Sequence, residues 1–260
     1  MSWSKTYDGA EPMRVNKWMG QTGVCSRREA EALIDAGLVS IDGETVADMG
    51  RKIQPGQTLT IAEAGKSQLD NRFSIVINKP PGIVSAHPEP GQVPAIRLLT
   101  AENLVGTSEI IPDDEMSLAP VGRLDMDSRG LLVLSEDGVL AKALIGPQSG
   151  LEKEYLVAIE GIITDWALEK LRYGLVLDGR QLKPAVVEVI GRYRLRFILT
   201  EGRNRQIRRM CEAVGLYVVD LCRIRIGTLT LGDLPEGKWR LLTPSERQGL
   251  IGGAQTTVAS

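Results

Sequence analysis

Two arginines and two carboxylates fall within the ten residues Val121-Gly122-Arg123-Leu124-Asp125-Met126-Asp127-Ser128-Arg129-Gly130. A carboxylate in such a Gly-flanked turn has few roles: helix cap, ion-pair partner, metal ligand, general base or nucleophile. On this loop alone Asp125 and Asp127 are equal candidates, and simple pairing with Arg123 or Arg129 competes with catalysis. Metal ligation is disfavoured, because no second acidic cluster of matching kind stands elsewhere in the chain. A glycosidase-like carboxylate pair is disfavoured as well, since side chains two apart in an extended segment point to opposite faces. The loop runs straight into Leu131-Leu132-Val133-Leu134. An unbroken apolar run of this kind predicts a buried strand, rigid enough to hold charges beside it in fixed places.

A second concentration of chemistry lies downstream. Between residues 192 and 209 there are seven arginines against one acid, Glu201, in a chain whose net charge is −2. A charge run is ordinarily a solvated face. Here Arg203, Arg205, Arg208 and Arg209 lack the acids that normally intersperse such a face, which points to phosphate contacts. Cysteine and histidine chemistry is scarce: Cys25, Cys211 and Cys222 are widely separated, and His87 is the single histidine. That argues against a zinc site of N and S ligands and against a mechanism needing a catalytic histidine, and His87 reads as a loop residue within Ser85-Ala86-His87-Pro88.

At 260 residues, with 43% hydrophobic and 25% charged residues, the chain suits one large domain or two smaller ones. No apolar run approaches the roughly 18 residues of a membrane span. The start lacks the apolar segment of a signal peptide, so a cytoplasmic protein is expected.

The elements that must position these residues follow from periodicity and punctuation. Residues 1–12 read as a loose leader. A short helix begins at Met13 and ends near Gly23; Ser26 and Glu29 then form a capping box, followed by the apolar face Ala30, Leu33 and Ile34. Residues 39–46 predict a hairpin around Asp42-Gly43, and Leu59–Ile61 a closing strand. Arg14, Lys17, Arg27 and Arg28 sit at the starts of the two helices, where free N–H groups and cations together hold phosphates. This unit, residues 13–62, resembles the S4-like RNA-binding domain. The likeness rests on Arg14-Val15-Asn16-Lys17, Gly23, Cys25-Ser26-Arg27-Arg28-Glu29-Ala30, and the spacing of Gly37, Val39, Ile41, Asp42 and Gly43.

Residues 63–72 are polar and read as a linker. From Phe73 a strand ends in Asn78-Lys79-Pro80-Pro81-Gly82, and Pro88–Pro120 reads as a long Pro-rich connection, acidic near Pro112-Asp113-Asp114-Glu115, with a short helix at Ala95–Leu99. Helices are expected at 139–144, 166–172 and 206–214. Strands are expected at 152–159, 186–190, 193–199, 218–221, 223–226, 229–231 and 237–242, and a frayed tail after Pro244. Such an order predicts an α+β domain, a mainly antiparallel mixed sheet flanked by helices and loops, over residues 73–246.

Five motifs then occur in order: Asn78-Lys79-Pro80-Pro81-Gly82; Gly122-Arg123-Leu124-Asp125 through Gly130-Leu131-Leu132; Lys153-Glu154-Tyr155; Gly202-Arg203-Asn204-Arg205-Gln206-Ile207-Arg208-Arg209-Met210; and Gly237-Lys238-Trp239-Arg240. Together they resemble the RsuA/RluB/RluE/RluF family of pseudouridine synthases, over roughly residues 13 to 246 and nearest the RluF branch. The resemblance implies cofactor-free, metal-free isomerisation of uridine to pseudouridine in ribosomal RNA, with 23S rRNA as the substrate and a monomeric enzyme. By the family pattern Asp125 is the catalytic aspartate, either adding to the base or taking a ribose proton. Arg208 pairs with it and Tyr155 packs on the target base. Arg123 fills the space that the base vacates, while Arg203, Arg205 and Arg209 hold phosphates. The alternatives are tRNA or 16S rRNA as substrate, or a non-catalytic RNA-binding ribosome-assembly factor. Two departures from the pattern are the length of Pro88–Pro120 and Ser135-Glu136, where the family often has Thr-Asn.

Overall fold

A computed structural model of the chain describes residues 1–113, 116–147 and 149–256. Asp114 and Glu115 of the acidic connection therefore lie outside the described residues. The chain divides into two compact units, Met1–Phe73 with Ser135–Lys142, and Ser74–Leu134 with the chain from Ala143.

In the first unit, helices α1 (Val15–Thr22) and α2 (Arg27–Asp35) pack beside a four-stranded sheet of β1 (Trp3–Thr6), β2 (Val39–Ile41), β3 (Glu44–Thr45) and β4 (Thr58–Ile61), in the order β1-β4-β2-β3. The capping box forms as the sequence predicts, Ser26 and Glu29 each satisfying the other's backbone N–H. Ala30, Leu33 and Ile34 join Val15, Trp18, Met19, Leu59 and Ile61 in one core. Asp42 and Gly43 both adopt positive φ, 48° and 87°, which suits a tight hairpin turn, and Asp42 accepts from the Thr58 N–H at 2.8 Å.

Two expectations need correction in this unit. The leader contains β1, which pairs antiparallel with β4 from Trp3↔Ile61 to Thr6↔Thr58. Its order comes from backbone pairing with a distant strand, which leaves little periodicity in four residues. The polar stretch expected as a linker holds helix α3 (Glu63–Asp70), with Gly65 and Leu69 buried four residues apart. Gly65 serves close packing there, because an added Cβ would stand 2.9 Å from Ile61 and 3.1 Å from Leu33.

In the second unit the main sheet is built on β5 (Ser74–Lys79), β6 (Arg129–Ser135), β7 (Lys153–Glu160), β8 (Val186–Gly191), β9 (Arg194–Leu199), β10 (Tyr217–Ile226) and β11 (Trp239–Leu241). Their order is β8-β9-β7-β10-β6-β5-β11. Strand β7 is antiparallel to both β9 and β10, and β11 to β5, whereas β6 and β10 run parallel. Hence the sheet is mixed and mainly antiparallel, as the α+β expectation has it. Leu131, Leu132, Val133 and Leu134 are at most 1% exposed, in keeping with a central strand carrying no polar alternation. The remaining α-helices among the described residues are α4 (Gly138–Ile145), α5 (Asp165–Arg172), α6 (Gln206–Glu212) and α7 (Pro244–Thr256).

Again the sequence expectation differs in two places. The two short strands expected at 218–221 and 223–226 are one ten-residue strand, whose irregularities are absorbed as register shifts against β7. The tail expected to fray after Pro244 is helix α7 as far as Thr256, with Leu250 fully buried; its last four positions, 257–260, lie outside the described residues. Its start is a reciprocal cap: the Thr243 hydroxyl accepts from the Glu246 N–H at 3.2 Å and Glu246 accepts from the Thr243 N–H at 2.9 Å. Among the described residues no helix is long and apolar enough to cross a membrane.

Candidate active site

The loop between Val121 and Ser128 carries few contacts of its own and is pinned by its surroundings. Ser85, which is buried, accepts a hydrogen bond from the Leu124 N–H at 2.9 Å and donates to the Leu124 carbonyl at 2.7 Å. The Gly82 N–H donates to the Met126 carbonyl at 2.7 Å, and the Ser128 N–H closes the turn on the Asp125 carbonyl at 3.1 Å. From the sheet, Arg223 donates through Nε to the Leu131 carbonyl at 2.8 Å and through Nη1 to the Arg123 carbonyl at 3.4 Å. Gly130 makes this approach feasible: its φ is +103°, and a Cβ there would stand 2.3 Å from the Arg223 carbonyl oxygen. The backbone on both sides of Asp125 is thereby fixed, while its carboxylate stays 35% exposed.

Arginines reach this loop from the start of α6. Arg205, in the left-handed backbone region at φ 48° and ψ 33°, donates two hydrogen bonds to the Asp127 carboxylate at 3.2 and 3.0 Å. Its Nη1 also stands 3.7 Å from the Asp125 carboxylate. Arg208, three residues on, donates to the Asp127 carbonyl at 2.8 Å, the Ser128 hydroxyl at 3.3 Å and the Val218 carbonyl at 3.2 Å. Its guanidinium is also 3.2 Å from the Asp127 carboxylate. The spacing of three puts both guanidinium groups on one side of the helix. Where the family pattern pairs Arg208 with Asp125, here Arg208 grips Asp127 and the loop backbone, and the cation recorded at Asp125 is Arg205. Partial burial pushes the Asp127 carboxyl upward, but the Arg205 hydrogen bonds and the charges of Arg208 and Arg205 outweigh it and hold the group below its ordinary range.

Tyr155 is 8% exposed on β7 and sits directly across from Arg223 of β10 and Phe197 of β9. Cross-strand partners share a face of the sheet, so Tyr155 stands beside the arginine that holds the Arg123 carbonyl. Arg123 itself is exposed. Arg203 and Arg209 are engaged elsewhere. Arg203 donates to the carbonyls of Leu177, Arg180 and Gln181 at 3.1, 3.1 and 2.8 Å, and Arg209 makes two hydrogen bonds to Asp178 at 3.0 and 2.7 Å. In the first unit Arg14, Lys17, Arg27 and Arg28 are all exposed.

Three residues at the loop had no role in the sequence reading: Ser85, Arg223 and Lys79. Lys79 is fully buried, and its ammonium donates to the carbonyls of Pro80 at 2.8 Å and Ile83 at 2.6 Å. Burial lowers its pKa to about 8, opposed by the negative charges of Asp127, Asp125 and Glu236. A lysine closing a buried strand just ahead of Pro-Pro-Gly was the available signal. For Ser85 and Arg223 no local signal existed, because their partners are carbonyls 39 and 92–100 residues away. Among the described residues no group of three or more His, Cys, Asp or Glu could hold a metal. What the arrangement offers is an accessible carboxylate on a fixed backbone, with Arg205 3.7 Å from it and Arg208 holding the same loop at Asp127. That suits acid–base or nucleophilic work by a carboxylate on a substrate that itself brings negative charge.

Comparison with known proteins adds to this geometry. Residues 73–213 match the family described as RNA pseudouridylate synthase, and residues 13–59 match the S4 domain. The dual-specificity RNA pseudouridine synthase RluF of Escherichia coli O157:H7 is 34% identical over 236 residues, covering 90% of this chain and 77% of that protein. An uncharacterised RNA pseudouridine synthase of Aquifex aeolicus is 34% identical over 239 residues, covering 90% of this chain and 92% of its own length. A crystal structure of a pseudouridylate synthase superposes with a TM-score of 0.62 at 27% identity, covering 92% of this chain and 99% of that one.

Proposed function

This chain belongs to the RNA pseudouridylate synthase family, in its RluF branch, and from that premise we propose that it isomerises a uridine of 23S rRNA through Asp125, acting on a base turned out of its helix. As a member of that family the protein is an isomerase acting on RNA. The reaction breaks the bond from the ribose to N1 of uracil and makes one to C5; N1 gains a proton, C5 loses one, and mass is unchanged. It needs no redox partner.

The observation that carries the assignment of Asp125 is that its carboxylate, partly exposed on a backbone fixed from both sides, is not the one that Arg205 and Arg208 grip. A reacting carboxylate must reach the substrate and hold its position there, which pinning of Leu124 on one side and Met126 on the other provides. Asp127, sharing the loop, is committed to Arg205 and Arg208 and acts in support. Tyr155 offers a ring for the displaced base, and Arg208 fixes the far end of the loop. Arg123, exposed two residues before Asp125, takes in this reading the gap left by the flipped base, an exchange that offsets a few kcal/mol of lost stacking. In this reading residues 13–62, led by Arg14, Lys17, Arg27 and Arg28, are the RNA-binding part and residues 73–246 the catalytic part; the family matches that support it span residues 13–59 and 73–213. Arg203, Arg205 and Arg209 add phosphate contacts if RNA displaces their present partners.

The test incubates wild type and Asp125→Asn with unmodified transcripts of 23S rRNA, 16S rRNA and tRNA, then maps pseudouridine chemically. Product on 23S rRNA from wild type and none from the variant is expected. Equal product from both would remove Asp125 from the chemistry, and product confined to another transcript would move the substrate. Because the RluF relatives are described as dual-specificity, a second product on either of the other two transcripts is part of the readout.

A further inference from the structure

Of the seven arginines between residues 192 and 209, five are engaged inside the fold. Arg196 pairs with Glu154 and Glu188, Arg203 with Glu201 and three carbonyls, Arg205 and Arg208 with Asp127, and Arg209 with Asp178. The other two, Arg192 and Arg194, are exposed and form no ion pair among the described residues. They flank Tyr193 in the turn that joins β8 to β9, and the Arg192 guanidinium lies 5.2 Å from the centre of the Tyr193 ring. Beside them opens a cleft of about 910 Å³, lined also by Ile162, Ile190 and Val219.

This end of the sheet is unusually apolar for a surface. Ile162 is 83% exposed, Tyr217 64%, Val219 60% and Tyr193 49%. The Ile159 N–H of β7 donates to the Tyr193 carbonyl at 3.0 Å on one side, and Glu160 of β7 pairs in register with Tyr217 on the other. The two tyrosines therefore flank the end of β7, about 10 Å apart at the backbone by two strand spacings. Tyr193 lies across from Ile159 within the cleft, and Tyr217 across from Glu160 at its border. An exposed apolar patch of this extent marks an interaction surface.

Charge decides between partners. Two unengaged guanidinium groups face a lining whose acid is Glu160, so the cleft favours a polyanion. Exposed aromatic rings interleaved with arginine suit unpaired nucleotides in particular: any base can stack on a ring while the guanidinium meets a phosphate or stacks in turn. We propose that this cleft binds an unpaired stretch of the RNA substrate, with Tyr193 stacking a base inside it, Tyr217 stacking a further base beyond its lining, and Arg192 and Arg194 taking phosphates. The inference rests on the reading that the chain acts on RNA, and it adds a second contact region supplied by the catalytic unit.

Two double variants of the full chain test it: Tyr193→Ala with Tyr217→Ala, and Arg192→Glu with Arg194→Glu. The probes are a fluorescein-labelled single-stranded oligouridylate and a fully paired RNA duplex of the same length. All four side chains are exposed, so unchanged circular-dichroism melts are expected and serve as the folding control. Both variants should bind the single strand at least about tenfold more weakly, since stacking on one aromatic ring contributes roughly fivefold or more per base, with the duplex affected less. Tyr193→Phe should retain binding, as the ring remains. Unchanged single-strand affinity in both double variants would overturn the proposal and leave the patch to a protein partner. Equal weakening on duplex and single strand would also overturn it, in favour of general charge attraction. Because the readout is binding, it decides the cleft whether or not pseudouridine forms on the 23S transcript.

Discussion

Arg205 holds Asp127 through two parallel hydrogen bonds, 3.2 and 3.0 Å long, from a left-handed backbone position that only glycine adopts at no cost. The same guanidinium stands 3.7 Å from Asp125. One side chain thus touches both carboxylates that the loop presents, and the strained backbone at the mouth of α6 is what aims it.

Separating backbone from guanidinium gives a first prediction. Arg205→Gly relieves the left-handed strain while removing the cation, so it is expected to fold about as stably as wild type yet lose roughly tenfold to a hundredfold in kcat. Arg205→Met keeps the strain and loses both. Asp127 has its folded pKa depressed, so its pairing stabilises the protein above the ordinary aspartate value of 3.8 and is lost as pH falls through the lower folded value. The stability gap between wild type and Arg205→Met should therefore be present at neutral pH and shrink in acid. Its size stays under about 1 kcal/mol, because both side chains are partly exposed. Urea titrations across acid pH measure it, and a gap that widened in acid would contradict the pairing.

Lys79 gives a pH dependence of opposite window. Burial lowers its pKa from 10.5 to about 8, so between those values the unfolded chain holds a proton that the folded protein has released. Raising the pH through that window favours folding, and the contribution is least favourable below about pH 8. Wild type should gain stability relative to Lys79→Met between about pH 7.5 and about pH 10, by at most about 3 kcal/mol. Parallel pH profiles for the two proteins would mean that the ammonium keeps its ordinary affinity for protons.

How much of this was legible beforehand depends on how far apart the interacting residues stand. The capping box of Ser26 and Glu29 and the hairpin at Asp42-Gly43 are local, so four residues spell each out. The buried strand Leu131–Leu134 was legible because a central strand is apolar on both faces. Helix α3 was not: its packing uses a glycine where bulk would collide with Ile61 and Leu33, and glycine in a sequence reads as flexibility. Likewise Asp125 could be singled out from Asp127 only through resemblance to a family, because what distinguishes them in space is the arginine pair of α6, nearly 80 residues away. Ser85 and Arg223 act on backbone carbonyls, which every residue carries, so no side-chain pattern announced them.

The four exposed cations of the first unit lead to a third prediction. If Arg14, Lys17, Arg27 and Arg28 meet phosphates, replacing all four with alanine should weaken RNA binding and flatten its salt dependence. Each phosphate contact contributes about 0.7 to 0.9 to the slope of log K against log salt, so a reduction of up to roughly 3 is expected. Binding of a 23S rRNA transcript measured from about 50 to 200 mM salt reads the slope directly. A parallel line displaced to weaker affinity would show that these residues act on the fold of the unit and make no phosphate contacts.

Ser85 offers the sharpest separation of position from chemistry. Its hydroxyl both accepts from and donates to Leu124, the residue preceding Asp125, and it is buried among groups that water does not reach. Ser85→Ala leaves an N–H and a carbonyl without that partner, which costs about 1–3 kcal/mol and should lower the melting temperature by several degrees. The consequence for catalysis is expected to be larger than for binding. Displacing a reacting group by an ångström can cost on the order of a hundredfold in rate, whereas the RNA contacts made by the arginines are left in place. Single-turnover kinetics at saturating RNA should therefore show kcat reduced at least about tenfold with the RNA dissociation constant within a factor of about two. A rate equal to wild type in a protein measurably less stable would show that Ser85 supports the fold alone, and that Asp125 is held in position by Arg223 and the α6 arginines without it.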